Sequence, residues 1–370
     1  MPFHSIYAGK KVLVTGHTGF KGSWLCEWLL GLDAEVTGYA LDPLADTDLF
    51  CQLDLASRLH KDVRADLSDL QCLTKLVADL KPDFVFHLAA QPLVRLSYAI
   101  PVETFATNVM GSIHLMEALR LSNHDCSVVM VTTDKCYQNR EWLSSYREQD
   151  AMGGHDPYSA SKGAAEIAIA SYRDSYFSSA EGPVRIASGR AGNVIGGGDW
   201  AADRIIPDCI RAIGEGKPIT VRNKTATRPW QHVLEPLSGY LWLGAALSEP
   251  SVLSFQNASA LAGGFNFGPS LPSNKPVSDL VREFIKHTGG EWIDASEPDA
   301  PHEASKLNLA IDKAFHLLQW QPVWDFSQTV KYTAEWYLGA DSPAAARKLT
   351  QLDISNYTRD ASGLAWADSR

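Results

Sequence analysis

The chain has 370 residues, 45% of them hydrophobic and 21% charged, with a formal net charge of −10. This composition excludes a disordered chain and is enough for a large core, and the acidic balance argues against a nucleic-acid partner, which needs a basic face. No apolar run approaches the roughly 20 residues of a membrane span, so no membrane partner is expected.

In chain order, the N-terminus lacks the long apolar stretch of a signal peptide. A buried strand is predicted at Lys11–Thr15, followed by an apolar helical pattern over residues 24–30 and a second strand over 35–41. Further strands are read at 84–88 and 127–132, with a third possible before Asp66. Helices are read at Leu70–Leu80, 102–121 and 158–176. This alternation predicts an α/β fold, a Rossmann-type doubly wound parallel sheet with ligands at the carboxyl ends of its strands. After Gly196-Gly197-Gly198 the rhythm changes to mixed helices, short strands and prolines. The division expected is a dinucleotide-binding domain over 1–195, with contributions from about 235–265. A smaller C-terminal substrate-binding lobe would comprise 196–234 and 266–370. The last fifteen residues are polar and are expected to be mobile. Six cysteines (Cys26, Cys51, Cys72, Cys126, Cys136, Cys209) form no C-x-x-C pair. They read as reduced thiols in a cytoplasmic protein, and no metal site is expected.

The first strand runs into Gly16-His17-Thr18-Gly19-Phe20-Lys21-Gly22 and then a helix. Glycines there permit a tight turn and close approach of a pyrophosphate to a helix N-terminus. The competing reading is a structural turn. Asp42, at the end of the second strand, could accept from an adenosine ribose and would repel a 2′-phosphate. That favours NAD over NADP, with Lys21 pulling the other way; Asp42 could equally start the Asp42-Pro43 turn. Asp66 could meet the adenine or serve as an N-cap.

Tyr158 and Lys162 open a helical pattern four residues apart, on one face. A nearby ammonium stabilises a phenolate, so the tyrosine could act as a base. The pair gains weight only from its place after the 127–132 strand, since such spacing also arises by chance. That strand ends in Thr132-Thr133-Asp134-Lys135, which puts a hydroxyl, a carboxylate and an amine at the ligand-binding edge. The alternative is a polar strand end making turn hydrogen bonds. Trp28, Trp242 and Trp336 read as core; Trp200 and Trp230, beside polar motifs, could stack on a base or ribose. His60, His124 and His155 read as surface residues.

Together these pieces resemble the extended short-chain dehydrogenase/reductase superfamily. The matching residues are Gly16–Gly22, His87-Leu88-Ala89-Ala90-Gln91, Asn108-Val-Met-Gly111, Thr133, Tyr158 with Lys162, and Arg190-Ala-Gly-Asn193-Val194, in family order. Arg228-Pro-Trp-Gln-His232-Val and Pro301-His-Glu303 resemble its sugar-nucleotide lobe. Asp134-Lys135 after the threonine, with Gly196-Gly-Gly-Asp-Trp200, resembles the CDP-glucose type of nucleotide-sugar 4,6-dehydratase. Lysine stands where related dehydratases carry glutamate.

The resemblance implies NAD as cofactor, held by the glycine loop, Asp42, Asp66, Leu67, Leu88, Ala89, Ala90, Thr107, Tyr158 and Lys162. It implies a nucleotide-sugar substrate, CDP-D-glucose, met by Gln91, Arg95, Asn193, Arg204, Arg228, His232, Glu303 and Lys306. Tyr158, assisted by Thr133, would take the proton of the 4-hydroxyl during oxidation at C4. Asp134 would protonate the departing 6-hydroxyl, and Lys135 would remove the C5 proton, stabilise the enolate or orient Asp134. A homodimer or homotetramer is implied, pairing through the helix of Tyr158 and the one after Pro101. The Ile113, Leu115, Met116, Leu119 stripe fits this and fits packing on the sheet equally. A 4-epimerase, another nucleotide-sugar dehydratase or a non-catalytic NAD-binding protein are the rival readings.

Overall fold

A computed structural model describes residues 2–178, 182–201, 204–253, 258–296 and 306–367. Strand β1 (Lys11–Thr15) leads into helix α1 (Phe20–Gly31), then β2 (Glu35–Ala40), β3 (Lys61–Arg64), α2 (Leu70–Leu80) and β4 (Phe84–His87). A helical stretch from Pro101, with a π turn over Ala106–Met110, continues as α3 (Gly111–Ser122). Next come β5 (Cys126–Val131), α4 (Pro157–Tyr176), β6 (Val184–Ala191), α5 (Ile205–Gly214), α6 (Leu234–Ser248) and β7 (Gly263–Phe267). The chain ends with α7 (Val277–Thr288), α8 (Phe326–Gly339) and α9 (Pro343–Asp360).

The seven strands form one sheet in the order β7-β6-β5-β4-β1-β2-β3, every pair parallel. The order reverses between β1 and β4, so a crevice opens where the chain leaves their carboxyl ends. Every residue of β5 is buried, as expected of a strand covered on both faces. On one face α2, α3 and α4 bury Leu73, Val77, Leu115, Met116, Leu119 and Ile169 against Leu13, Val85 and Val128. The α3 stripe is therefore spent on the sheet. The exposed apolar residues on this side of the molecule include Tyr98, Val102, Phe105, Met110 and Ile167.

On the other face α1 and α6 bury Trp24, Trp28, Leu237 and Leu241. Residues 234–248 and 263–267 thus pack with the sheet. A separate cluster around Ile206, Val221, Trp230, Leu280, Phe284 and Val330 joins α5, α7 and α8. The expected mobile C-terminus is corrected as far as residue 367: Tyr357, Ala361 and Trp366 are buried, and Trp366 stacks on Phe3 at 5.2 Å. Aromatic burial outweighs the polar composition that suggested mobility.

Candidate active site

A cleft of about 940 Å³ runs along the carboxyl ends of the strands and under the lobe. At one end the chain turns sharply out of β1. Gly16 has φ +75°, and a Cβ there would stand 2.7 Å from the Ala89 nitrogen. At Gly22 a Cβ would stand 2.0 Å from the Gly16 carbonyl oxygen, so neither position admits a side chain. Gly19 has only that oxygen near it, at 3.4 Å, which leaves open backbone before the N-terminus of the 12-residue α1. Thr18, Phe20 and Lys21 line the same wall, and Ala40, Leu41, Ala65, Asp66 and Leu67 close its far end. Leu88, Ala89, Ala90 and Thr107 form the opposite wall. This cradle fits a dinucleotide pyrophosphate. Asp42 lies off the lining, its side chain 85% exposed and 3.6 Å from Arg64.

At the centre the ends of β5 and α4 meet. Asp156 caps α4 by accepting from the Ser159 backbone, which fixes Tyr158 and Lys162 in the first turns. Both side chains are buried and line the cleft. Burial pushes the Tyr158 phenol up to about 12, partly offset by the neighbouring Thr133 hydroxyl and the charge of Arg204. Burial brings the Lys162 amine down to about 8 against the opposing charge of Glu166. Without ligand, then, desolvation outweighs any stabilisation of the phenolate by the lysine. Lys21, half-buried here, is brought down to about 7 by desolvation and by the cations Arg204 and Lys162.

Thr133 caps a short turn, accepting from the Lys135 nitrogen at 3.3 Å and donating to Asp134 Oδ1 at 3.0 Å. Asp134 Oδ2 is buried with no hydrogen-bond partner among the described residues. Burial raises the Asp134 carboxyl above the usual carboxylate range. Gly192 leaves it room: a Cβ there would stand 2.7 Å from Oδ2. A buried carboxyl with one free oxygen and a raised affinity for its proton is built to donate that proton to a ligand. Lys135 is half-buried on the same wall.

Towards the lobe, Arg95, Asn193, Arg204 and Arg228 line the cleft. Arg204 is held by Asp199, Nη1 to Oδ2 at 2.9 Å, and the charge of Arg228 reaches Asp134. Trp230 also lines it, with its ring nitrogen anchored to the Lys275 carbonyl at 2.9 Å, while Trp200 sits edge-on to Tyr337.

Besides Asp42, three substrate candidates fall elsewhere. Gln91 spends its amide on the Leu93 backbone and Thr104. His232 is wholly buried between Trp24 and Trp324, and burial brings its imidazole down to about 3. Lys306 is exposed and off the lining, and Glu303 lies outside the described residues. Sequence reasoning missed Thr220, Arg222, Asn223 and Val277, which line the lobe end of the cleft. They come from short segments with no motif, so only the fold collects them. Among the described residues no group of three His, Cys, Asp or Glu side chains could hold a metal ion. No helix there is long and apolar enough to cross a membrane.

The model of the GDP-mannose 4,6-dehydratase family matches residues 13–333. The chain is 43% identical over 362 residues to CDP-glucose 4,6-dehydratase of Salmonella typhimurium, covering 95% of this chain and 97% of that protein. It resembles the solved UDP-glucose 4-epimerase of Thermotoga maritima with UDP-glucose at a TM-score of 0.74 and 19% identity, covering 89% of this chain and 98% of that one. The dTDP-glucose 4,6-dehydratase of Bacillus anthracis in complex with NAD gives a TM-score of 0.71 at 21% identity, covering 90% of this chain and 98% of that one.

Proposed function

The chain belongs to the GDP-mannose 4,6-dehydratase family, and from that membership we propose that it dehydrates CDP-D-glucose to CDP-4-keto-6-deoxy-D-glucose. The observation that carries this reading is Asp134, a buried carboxyl with an unpartnered oxygen, beside Tyr158 and Lys162 in one cleft. Oxidation and reduction alone need only the tyrosine–lysine pair; loss of water also needs an acid. The choice of CDP rests on the 43% identical relative.

The cofactor is NAD, which would be held at its pyrophosphate by Gly16, Thr18, Gly19, Phe20, Lys21 and Gly22, with Asp66, Leu67, Leu88, Ala89, Ala90 and Thr107 along the rest. When bound, it would supply a hydride acceptor for C4 of the sugar and, reduced, a hydride donor for C6. Tyr158 acts as the phenolate, stabilised by the Thr133 hydroxyl and the positive charge of Lys162, and becomes the phenol as it takes the proton of the 4-hydroxyl. The new ketone acidifies the C5 proton, and Lys135 removes it and gives a proton back to C5 when the hydride reaches C6. Asp134 gives its proton to the 6-hydroxyl, which leaves as water. Arg228 and Arg204 hold the substrate pyrophosphate, and Asn193 and Arg95 border the sugar.

Residues 1–195 and about 235–265 serve the cofactor, and 196–234 with 266–370 close over the sugar nucleotide. The exposed apolar face of Tyr98, Val102, Phe105, Met110 and Ile167 supports a homodimer. The six free thiols support a reducing, cytoplasmic setting. A 4-keto-6-deoxy product suits supply of 3,6-dideoxyhexoses for O-antigen.

CDP-D-glucose deuterated at C4, incubated with catalytic NAD⁺, tests the reading. Deuterium at C6 of a dehydrated 4-keto product, without net NADH, is expected. Inversion at C4 without water loss, or inertness toward CDP-, dTDP-, UDP- and GDP-sugars alike, would overturn it.

A further inference from the structure

Glu166 lies on α4, one turn after Lys162, and its side chain is only 4% exposed. The cleft lining does not include it, so it touches neither substrate nor cofactor. Its two oxygens nevertheless meet each element that delivers a catalytic group. Oε1 accepts from the Thr132 hydroxyl at 2.5 Å, and Thr132 directly precedes Thr133-Asp134-Lys135. Oε2 accepts from Ser188 Oγ at 2.9 Å and Arg190 Nη2 at 2.7 Å, on the strand that leads to Gly192 and Asn193. Arg190 continues the chain of contacts. Its Nη1 donates to the Tyr137 hydroxyl at 2.8 Å and to the Glu148 carbonyl at 3.1 Å, and Tyr137 donates to Asn266 on β7 at 2.7 Å.

We propose that Glu166 is the positioning residue that holds the two halves of the catalytic machinery in register: the helix of Tyr158 and Lys162, and the strand end of Thr133, Asp134 and Lys135. The inference rests on the reaction proposed above. A buried ion pair is a poor device for stability alone, because the desolvation of both charges consumes most of their attraction. What this pair supplies is direction. A carboxylate has a fixed angle between its two oxygens, and here each oxygen faces a different chain segment. Rotating α4 about its axis, or sliding it along β5, would strain both the Thr132 bond and the Arg190 bond. The hydroxyl of Thr133 and the phenol of Tyr158 must both reach one substrate hydroxyl, so small misplacements are costly.

The charge of Glu166 does a second job. The groups that face the Lys162 amine are Glu166 on its own helix, the Cys136 thiol after β5, Lys21 on α1 and His87 on β4. The thiol is pushed well up and the imidazole down to about 3 by burial, so both are neutral near pH 7. Lys21 repels the amine. Glu166 is thus the one carboxylate among these groups that favours the ammonium, and Arg190 and its hydrogen bonds keep it ionised despite burial.

Two variants separate geometry from charge. Thr132→Val cuts one hydrogen bond and leaves every charge in place. It is expected to slow conversion about tenfold or more, with KM within about threefold and the pH profile unmoved. Glu166→Gln also removes the charge, and the alkaline limb of the kcat profile is expected to move down by about one pH unit. The limb moves down because the ammonium loses its partner. Unchanged kcat in Thr132→Val, or a Glu166→Gln profile that falls uniformly with no shift of the limb, would overturn the proposal. If Glu166→Gln does not fold, Thr132→Val decides alone. Inactive wild-type protein on CDP-D-glucose would instead sink the proposed reaction.

Discussion

At Asp134 two physical demands meet. Removal from water favours the neutral carboxyl, and the neighbouring Lys135, Thr133 and Arg228 favour the ion; burial is the larger effect. A group whose proton is held above the usual carboxylate range can act as an acid closer to neutrality. Elimination should therefore weaken as pH rises through that raised value. Asp134→Asn is expected to slow water loss by about 10²–10⁴-fold while exchange of the C5 proton with solvent continues, measured by NMR in deuterium oxide. Lys135→Ala should do the reverse and suppress that exchange; full exchange in this variant would remove Lys135 as the base. Gly192→Ala is a sharper probe, because the added methyl would stand 2.7 Å from Asp134 Oδ2 without touching any charge. A loss of roughly 10–100-fold in kcat is expected, larger than any loss of folded protein from the added contact with Pro229 at 3.1 Å, read on the soluble, folded variant. The residue types of this trio were legible in the sequence, but the orphaned oxygen and its supporting glycine were not. They arise where β5 and the residues after β6 converge.

Among the elements, α6 is clasped to the C-terminal helices by one carboxylate. Glu235 is wholly buried and accepts from the Val323 and Trp324 backbone nitrogens and from the Tyr357 hydroxyl. Burial raises it to about 7. The folded state therefore holds this proton more tightly than the unfolded chain does. The stability it contributes is full below the ordinary glutamate value near 4.3 and is lost as pH rises towards 7. Asp353 on α9, raised to about 8 by burial, acts in the same direction. Glu235→Gln is expected to flatten the fall of melting temperature between pH 5 and pH 8 by roughly 3–6 °C, read by calorimetry. Periodicity announced most of the elements up to residue 176 and set bounds for none of those beyond it: the helix read at Leu70–Leu80 has those bounds, and Asp69 accepts from the Cys72 nitrogen at its start. The clasp was invisible, since its partners lie 88 to 122 residues apart in sequence.

For the whole molecule, the apolar side chains left outside mark where a second copy would dock. Ile167 on α4 is 62% exposed and Val102 75%, on helical segments that pack against each other. Ile167→Glu is expected to halve the mass found by light scattering while leaving the melting curve of the monomer intact. A wild-type chain that is monomeric at micromolar concentration would contradict that surface. Chain order alone determined the parallel sheet, its glycine turn and the presence of Tyr158, Lys162 and Thr133-Asp134-Lys135, because these depend on spacing within short segments. Tertiary structure alone decided that His232 belongs to the core, that Gln91 serves its own loop, that the tail around Trp366 is packed, and that half-buried Lys21 shares its space with Arg204, Lys162 and Asp134. Desolvation and charge–charge energies depend on which distant segments share one space, and spacing along the chain carries no record of that.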